Sequence, residues 1–307
     1  PENGWVLACG LVILERVGKA IKKPAKNTLV SFAASEIGTG KGFAYQEFLD
    51  QLGAFLGPVM LFVISLIKGT GNLFSTYRVC FAFLGIPALI TIALVVFSKI
   101  KYPNPEMFEK VEEEHKAFHF QKSFALYMAA ICCYAFGFAD FTMITLHAAK
   151  TAAFPAASLS LLYALAMAVD AFAALFFGWL FDKIGLKAMV LATLCSTFFS
   201  CFIFLTNSPA CMIIGIVLWG IGMGAEDSIM KAAVSQIIPK SMRSSGFGIF
   251  ETGFGIAWFL GSWLLGALYD FNPVCLVIVS VLAQILAIFF YLACIRRREK
   301  EGFKPHR

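Results

Sequence analysis

Charge is scarce in this chain: Asp, Glu, Lys and Arg make up 14% of its 307 residues, against 59% hydrophobic ones. With a mean hydropathy of +0.79, a water-soluble domain is excluded. C-x-x-C spacing is missing as well. The nine cysteines are an odd number dispersed through apolar segments, so they read as small packing residues and not as disulfides or metal ligands. His115 and His119 are spaced i,i+4, but the run Glu112-Glu113-Glu114 beside them suits a solvated helix better than a zinc site. No Ser/His/Asp or Cys/His pattern offers a nucleophile. Gly38-Thr39-Gly40-Lys41-Gly42 evokes a phosphate loop, yet Ser35 and Gly42 stand where that motif needs Gly and Ser/Thr. Nothing here supports an enzyme or a bound cofactor. The net charge of +6 belongs to membrane topology and not to nucleic-acid binding.

What the chain does have is apolar length. About nine segments, at 5–34, 42–67, 73–98, 123–147, 157–181, 186–206, 209–238, 246–269 and 274–295, are long enough to cross a bilayer, which takes roughly 20 residues. Backbone groups in hydrocarbon must pair within their own segment, so each is a helix. The expected fold class is an all-α polytopic membrane bundle. Residues 1–98 form a first group of spans, 99–122 a polar central loop, 123–295 a second group of six, and 296–307 a basic tail. Cations gather on one side, at Lys183, Lys187, Lys240, Arg243, Arg296–Arg298 and the central loop, and only Lys68, Arg78 and Lys150 lie towards the other. The positive-inside rule makes the crowded side cytoplasmic. It places a multi-pass protein in the plasma (inner) membrane with its C-terminus in the cytoplasm.

An internal repeat runs through the chain. Gly42-Phe-Ala-Tyr-Gln-Glu47 to Phe55-Leu56-Gly57 aligns without gaps on Gly246-Phe-Gly-Ile-Phe-Glu251 to Phe259-Leu260-Gly261, an offset of 204 that also carries Gly18 to Gly222 and Ser31 to Ser235. Repeat-related halves are a transporter architecture, with substrate near midplane between them. The same offset applied to Ser123 falls before Pro1. Pro1 follows no initiator Met or charged leader, and about three further helices are expected ahead of it.

The stretch Gly178-Trp-Leu-Phe-Asp182-Lys183-Ile-Gly185-Leu-Lys187 sits between two long apolar segments. It is consistent with a generic hairpin on the cytoplasmic side. Its spacing, G-x-x-x-D-K-x-G-x-K, also resembles the loop signature of the major facilitator superfamily (MFS), which follows the second and eighth of twelve helices. Gly53-Ala-Phe-Leu-Gly57-Pro58 resembles part of that family's helix-five antiporter motif, although Leu61 and Phe62 replace two of its glycines. The resemblance implies that the chain corresponds to helices four to twelve of a transporter. It implies transport by alternating access, with Asp182 helping to lock the cytoplasmic face.

Ionisable residues within spans are expensive and are functional candidates by default. Glu15 and Lys19 can pair at i,i+4. Arg16 is about 100° round the helix from Glu15 and ~16 Å along it from Trp5, so it is read as an anion or counter-ion group near midplane, or as part of a packing ion pair. The offset matches Lys22 and Lys23 with Glu226 and Asp227, which suggests a salt-bridged cytoplasmic gate between halves; the alternative is an Asp227–Lys231 pair within one helix. Glu47, Asp50 and Gln51 share a face, and Glu251 repeats Glu47; a capping or gate role suits them. Asp140 and Asp170 stand alone in their spans, as carriers of a coupling proton or as hydrogen-bond acceptors for a neighbouring helix. The glycines around Gly215–Gly224 and Gly248–Gly261 suit close helix packing. The expected function is proton-coupled efflux of a small organic molecule by a monomeric secondary transporter. Uptake of a small anion or metabolite by symport is the second reading, and a non-transporting receptor or scaffold comes from another class.

Overall fold

A computed structural model describes residues 4–35, 37–68, 73–103, 122–154 and 159–301. Most of the expected central loop, including His115 and His119, and most of the basic tail after 301 lie outside these. The side chains of 57–77, and so those of Gly57 and Pro58, are also outside the description.

The described residues form twelve α-helices and no strand: α1 (Gly4–Ala33), α2 (Thr39–Lys68), α3 (Leu73–Lys101), α4 (Lys122–Gly137), α5 (Phe141–Lys150), α6 (Leu159–Ile184), α7 (Lys187–Ser196), α8 (Phe199–Phe204), α9 (Pro209–Ala225), α10 (Lys231–Ile237), α11 (Arg243–Phe271) and α12 (Pro273–Lys300). Taking α4–α5, α7–α8 and α9–α10 as interrupted rods gives nine helical runs. Seven of the runs are apolar and long enough to cross a membrane. The charged helix α1 is not among them. Phe81, Leu89, Phe97 and Ile100 on α3 are exposed, as apolar residues facing lipid should be.

The three interruptions have separate causes. At 138–140 the chain leaves helical geometry, and Asp140 caps α5 by accepting from Thr142 N at 2.8 Å. The carbonyls freed there are claimed by side chains from other helices: Trp219 donates to Ala139 O at 2.8 Å and Ser280 to Gly137 O at 2.7 Å. Such repair lets a broken helix persist at membrane depth. Between α7 and α8 the Thr193, Ser196 and Thr197 hydroxyls donate back to carbonyls of their own helix, a pattern that bends helices. Between α9 and α10 one π-helical turn, Glu226–Met230, widens the helix.

The core lies in the second group of helices, where Tyr127, Phe138, Phe181, Phe199 and Tyr291 are buried. Gly220 and Gly224 let α9 approach α6 so closely that a Cβ on either would strike the carbonyl oxygen of Ala166 or Asp170. The first group meets the second where α2 packs against α6, the π-turn and α10, and where α1 packs against α11 and α10.

Candidate functional site at the junction of the two halves

The junction is built first around Asp182. Helix α6 ends at Ile184, and Gly185 turns the chain at φ +61° before α7 begins at Lys187. Asp182 projects from the last turns of α6 onto the start of α2. Its Oδ1 accepts from Gly40 N at 2.8 Å and its Oδ2 from Lys41 N at 2.9 Å. A helix start offers unpaired N–H groups and a positive dipole end, so a carboxylate is well placed there. The approach depends on missing side chains: a Cβ on Gly40 would strike Gly178 O and the Asp182 carboxylate, and one on Gly178 would strike Ala44. The loop-signature cation Lys183 lies over the Trp179 ring, 3.8 Å from its centroid. The failed phosphate loop at Gly38–Lys41 is therefore an anion cradle for the protein's own carboxylate. Two glycines opening a helix after a break were the available signal.

Deeper in, the halves hold each other by crossed polar contacts. Lys231 on α10 reaches Glu47 on α2 at 3.3 Å, and Asn27 on α1 donates to Glu251 on α11 at 2.9 Å. Under the 204 offset, Asn27 is the mate of Lys231 and Glu47 the mate of Glu251, so one contact is the repeat image of the other. A second such couple joins Gln236 to Thr39 at 3.2 Å and sets Arg243 over the Phe32 ring, 5.3 Å from its centroid. Phe43 packs on Phe247, its own mate, with ring centroids 6.1 Å apart. The pseudo-twofold axis thus passes between these two rings.

The junction does not join Lys22 and Lys23 to Glu226 and Asp227. Lys23 meets Glu251 at 3.5 Å, Lys26 meets Asp50 at 2.8 Å, and Lys22 is exposed on α1. Asp227 pairs with Lys231 at 3.5 Å within its own helical run. Behind these pairs lies Asp170, fully buried on α6. Gln51 Nε2 lies 3.1 Å from both Asp170 Oδ2 and Glu47 Oε1. Asp170 Oδ1 and both carboxylate oxygens of the buried Glu226 have no hydrogen-bond partner among the described residues.

The remaining predicted residues lie elsewhere. Asp140 is engaged as the α5 cap, beside an aromatic cluster in which Phe138 packs against Tyr134, Phe199, Trp219 and Trp258. Arg16, its side chain 76% exposed, bends back to Glu15 at 3.8 Å, and Lys19 pairs with the same carboxylate. A Cβ on Gly53 would meet nothing within 4 Å.

Fold and junction together define a helical membrane protein of two repeat-related halves that clasp each other at one end. The chain belongs to the Major Facilitator Superfamily, whose sequence pattern matches residues 126–307, and its members are transporters and not enzymes. Uncharacterised proteins of Mycobacterium tuberculosis and Mycobacterium bovis are 34% identical over 295 residues, covering 94% of this chain and 70% of theirs. An uncharacterised MFS-type transporter of Methanocaldococcus jannaschii is 26% identical over 284 residues, 89% of this chain and 68% of that one. Among solved structures, a bacterial homologue of the iron transporter ferroportin in an outward-facing state aligns with a TM-score of 0.48 at 14% identity, over 94% of this chain and 90% of that one.

Proposed function

We propose that this protein is a secondary transporter that alternates access by rocking its two halves, exporting a small organic molecule from the cytoplasm in exchange for protons. In this reading the clasped end is the cytoplasmic one, and the C-terminal tail lies in the cytoplasm. The observation that carries the proposal is the crossed pair Lys231–Glu47 and Asn27–Glu251. Each contact joins opposite halves, and both must part for that end to open. Export is favoured by the partial helix-five resemblance at Gly53, Gly57 and Pro58. Anion uptake, the second reading, rests on the basic stretch Arg16–Lys26, in which Arg16 pairs with Glu15 on an exposed face. Asp182 locks the gate and touches no substrate.

The test is transport by the full-length protein, acting as a monomer, in proteoliposomes with an imposed pH gradient, across a panel of small organic compounds. Lys231→Glu should abolish flux, and adding Glu47→Lys should restore part of it. Absence of flux for every compound under either gradient would overturn the reading.

A further inference from the structure

We infer that Asp170 and Glu226 form a proton-binding site and that Lys231 exchanges Glu47 for these two carboxylates when the gate opens. The inference rests on the alternating-access reading above and assigns its coupling ion a place. Glu47 and Gln51 belong to the first half; Asp170, Glu226, Asp227 and Lys231 belong to the second. Lys231 meets Glu47 and Asp227 directly, Gln51 bridges Glu47 to Asp170, and Glu226 stands next to Asp227 on the π-turn. The other groups facing them are Asp50 on α2 and Glu251 on α11, both acidic, and the tyrosines Tyr127, Tyr134 and Tyr291. Asp50 and Glu251 are themselves paired with Lys26 and Lys23.

In the closed state Lys231 is satisfied by Glu47 and Asp227. That leaves Asp170 with only the neutral Gln51 amide, and leaves Glu226 with no hydrogen bond among the described residues. A buried carboxylate without a cation takes up a proton rather than remain charged. The π-turn that carries Glu226 is an added observation, because such turns inside α-helices concentrate at functional sites. When the halves part, Glu47 and Gln51 leave with the first half. Lys231 then has only carboxylates of its own half to pair with. The O–H bond of a protonated Asp170 or Glu226 breaks, its proton passes to water in the opened cleft, and the resulting carboxylate pairs with Lys231. One proton is lost per opening, and it is regained when Glu47 returns.

The test follows the gate directly and needs no known substrate. Cysteines at Thr39→Cys and Gln236→Cys, whose native side chains touch, report closure by cross-linking in the full-length protein with its native cysteines replaced. The open-to-closed ratio should rise with pH, by up to about tenfold per pH unit for one linked proton. Asp170→Asn with Glu226→Gln should hold the gate closed and flatten this dependence, and Asp170→Glu should keep it. If the double variant does not fold, as judged by size exclusion, each single neutral variant should still halve or shift the response. A pH response unchanged in those variants overturns the inference, as does a gate that follows sodium concentration at fixed pH. A gate that opens without any pH response overturns the inference and leaves alternating access standing. One that never opens overturns both.

Discussion

Asp182 illustrates how much a single carboxylate can decide. Its two oxygens receive two backbone N–H groups from the start of α2, and hydrogen bonds to charged groups contribute about 1.5–3 kcal/mol each before solvent screening. Asp182→Asn keeps the shape but turns one acceptor into a donor that faces an N–H group. The expected result is a loss of about 1–2 kcal/mol from the closed junction, seen as a several-fold drop in cross-linking between cysteines at Thr39 and Gln236. Gly40→Ala should act in the same direction by driving a methyl group into Gly178 O and Asp182, at about 1–3 kcal/mol for overpacking. Because both changes break one contact, their effects should be less than additive. Loop spacing and the chemistry of helix junctions made Asp182 legible in the sequence. Its cradle was not, because Gly38–Lys41 is some 140 residues away in the chain and fails as the only local motif it suggests.

At the scale of elements, the nine helical runs, seven of them apolar and long enough to span, were readable because lipid leaves the backbone no alternative to helix. The interruptions were not, since hydropathy is blind to whether a long apolar run is one rod or two. Asp140 shows the ambiguity well: a carboxylate alone in a span signals a functional group, and Asp followed by Phe-Thr is equally a cap. The structure shows it engaged as a cap, and the price of the break falls on Trp219 and Ser280. Trp219→Phe should therefore leave Ala139 O buried and unpaired, costing about 1–3 kcal/mol and lowering the thermal unfolding midpoint of the detergent-solubilised protein. Phe at this position keeps most of the ring packing, so an unchanged midpoint would mean that the carbonyl finds another donor. Gly224→Ala tests close approach instead, because its methyl group has nowhere to go but the Asp170 carbonyl. It should separate α9 from α6 at about 1–3 kcal/mol, measured by the same melt.

For the whole molecule, the offset of 204 residues was visible in the sequence, but its consequence for contacts was subtler. Aligning the copies pairs each residue with its own mate, which is how Lys22 and Lys23 were set against Glu226 and Asp227. A twofold relation brings a residue onto its own mate only at the axis, as with Phe43 and Phe247. Away from the axis, if one residue touches a second, the mates exchange the same contact, which is the crossed pattern of Lys231–Glu47 and Asn27–Glu251. The two crossed contacts are not chemically equal, because one is an ion pair and the other a neutral donor on a carboxylate. Asn27→Lys would make them alike. Its ammonium should pair with Glu251 from a buried position, displacing the more exposed Lys23. The gain is limited by the charge already there and by desolvation of the new cation, so about 1 kcal/mol towards the closed state is expected. Lys231→Asn converts the other contact to the neutral kind and should shift the same equilibrium towards opening through the lost pair with Glu47. Cross-linking between cysteines at Thr39 and Gln236 reads both. If Asn27→Lys opens the gate, the two contacts are not equivalent clasps, and the second half alone sets the balance through Lys231.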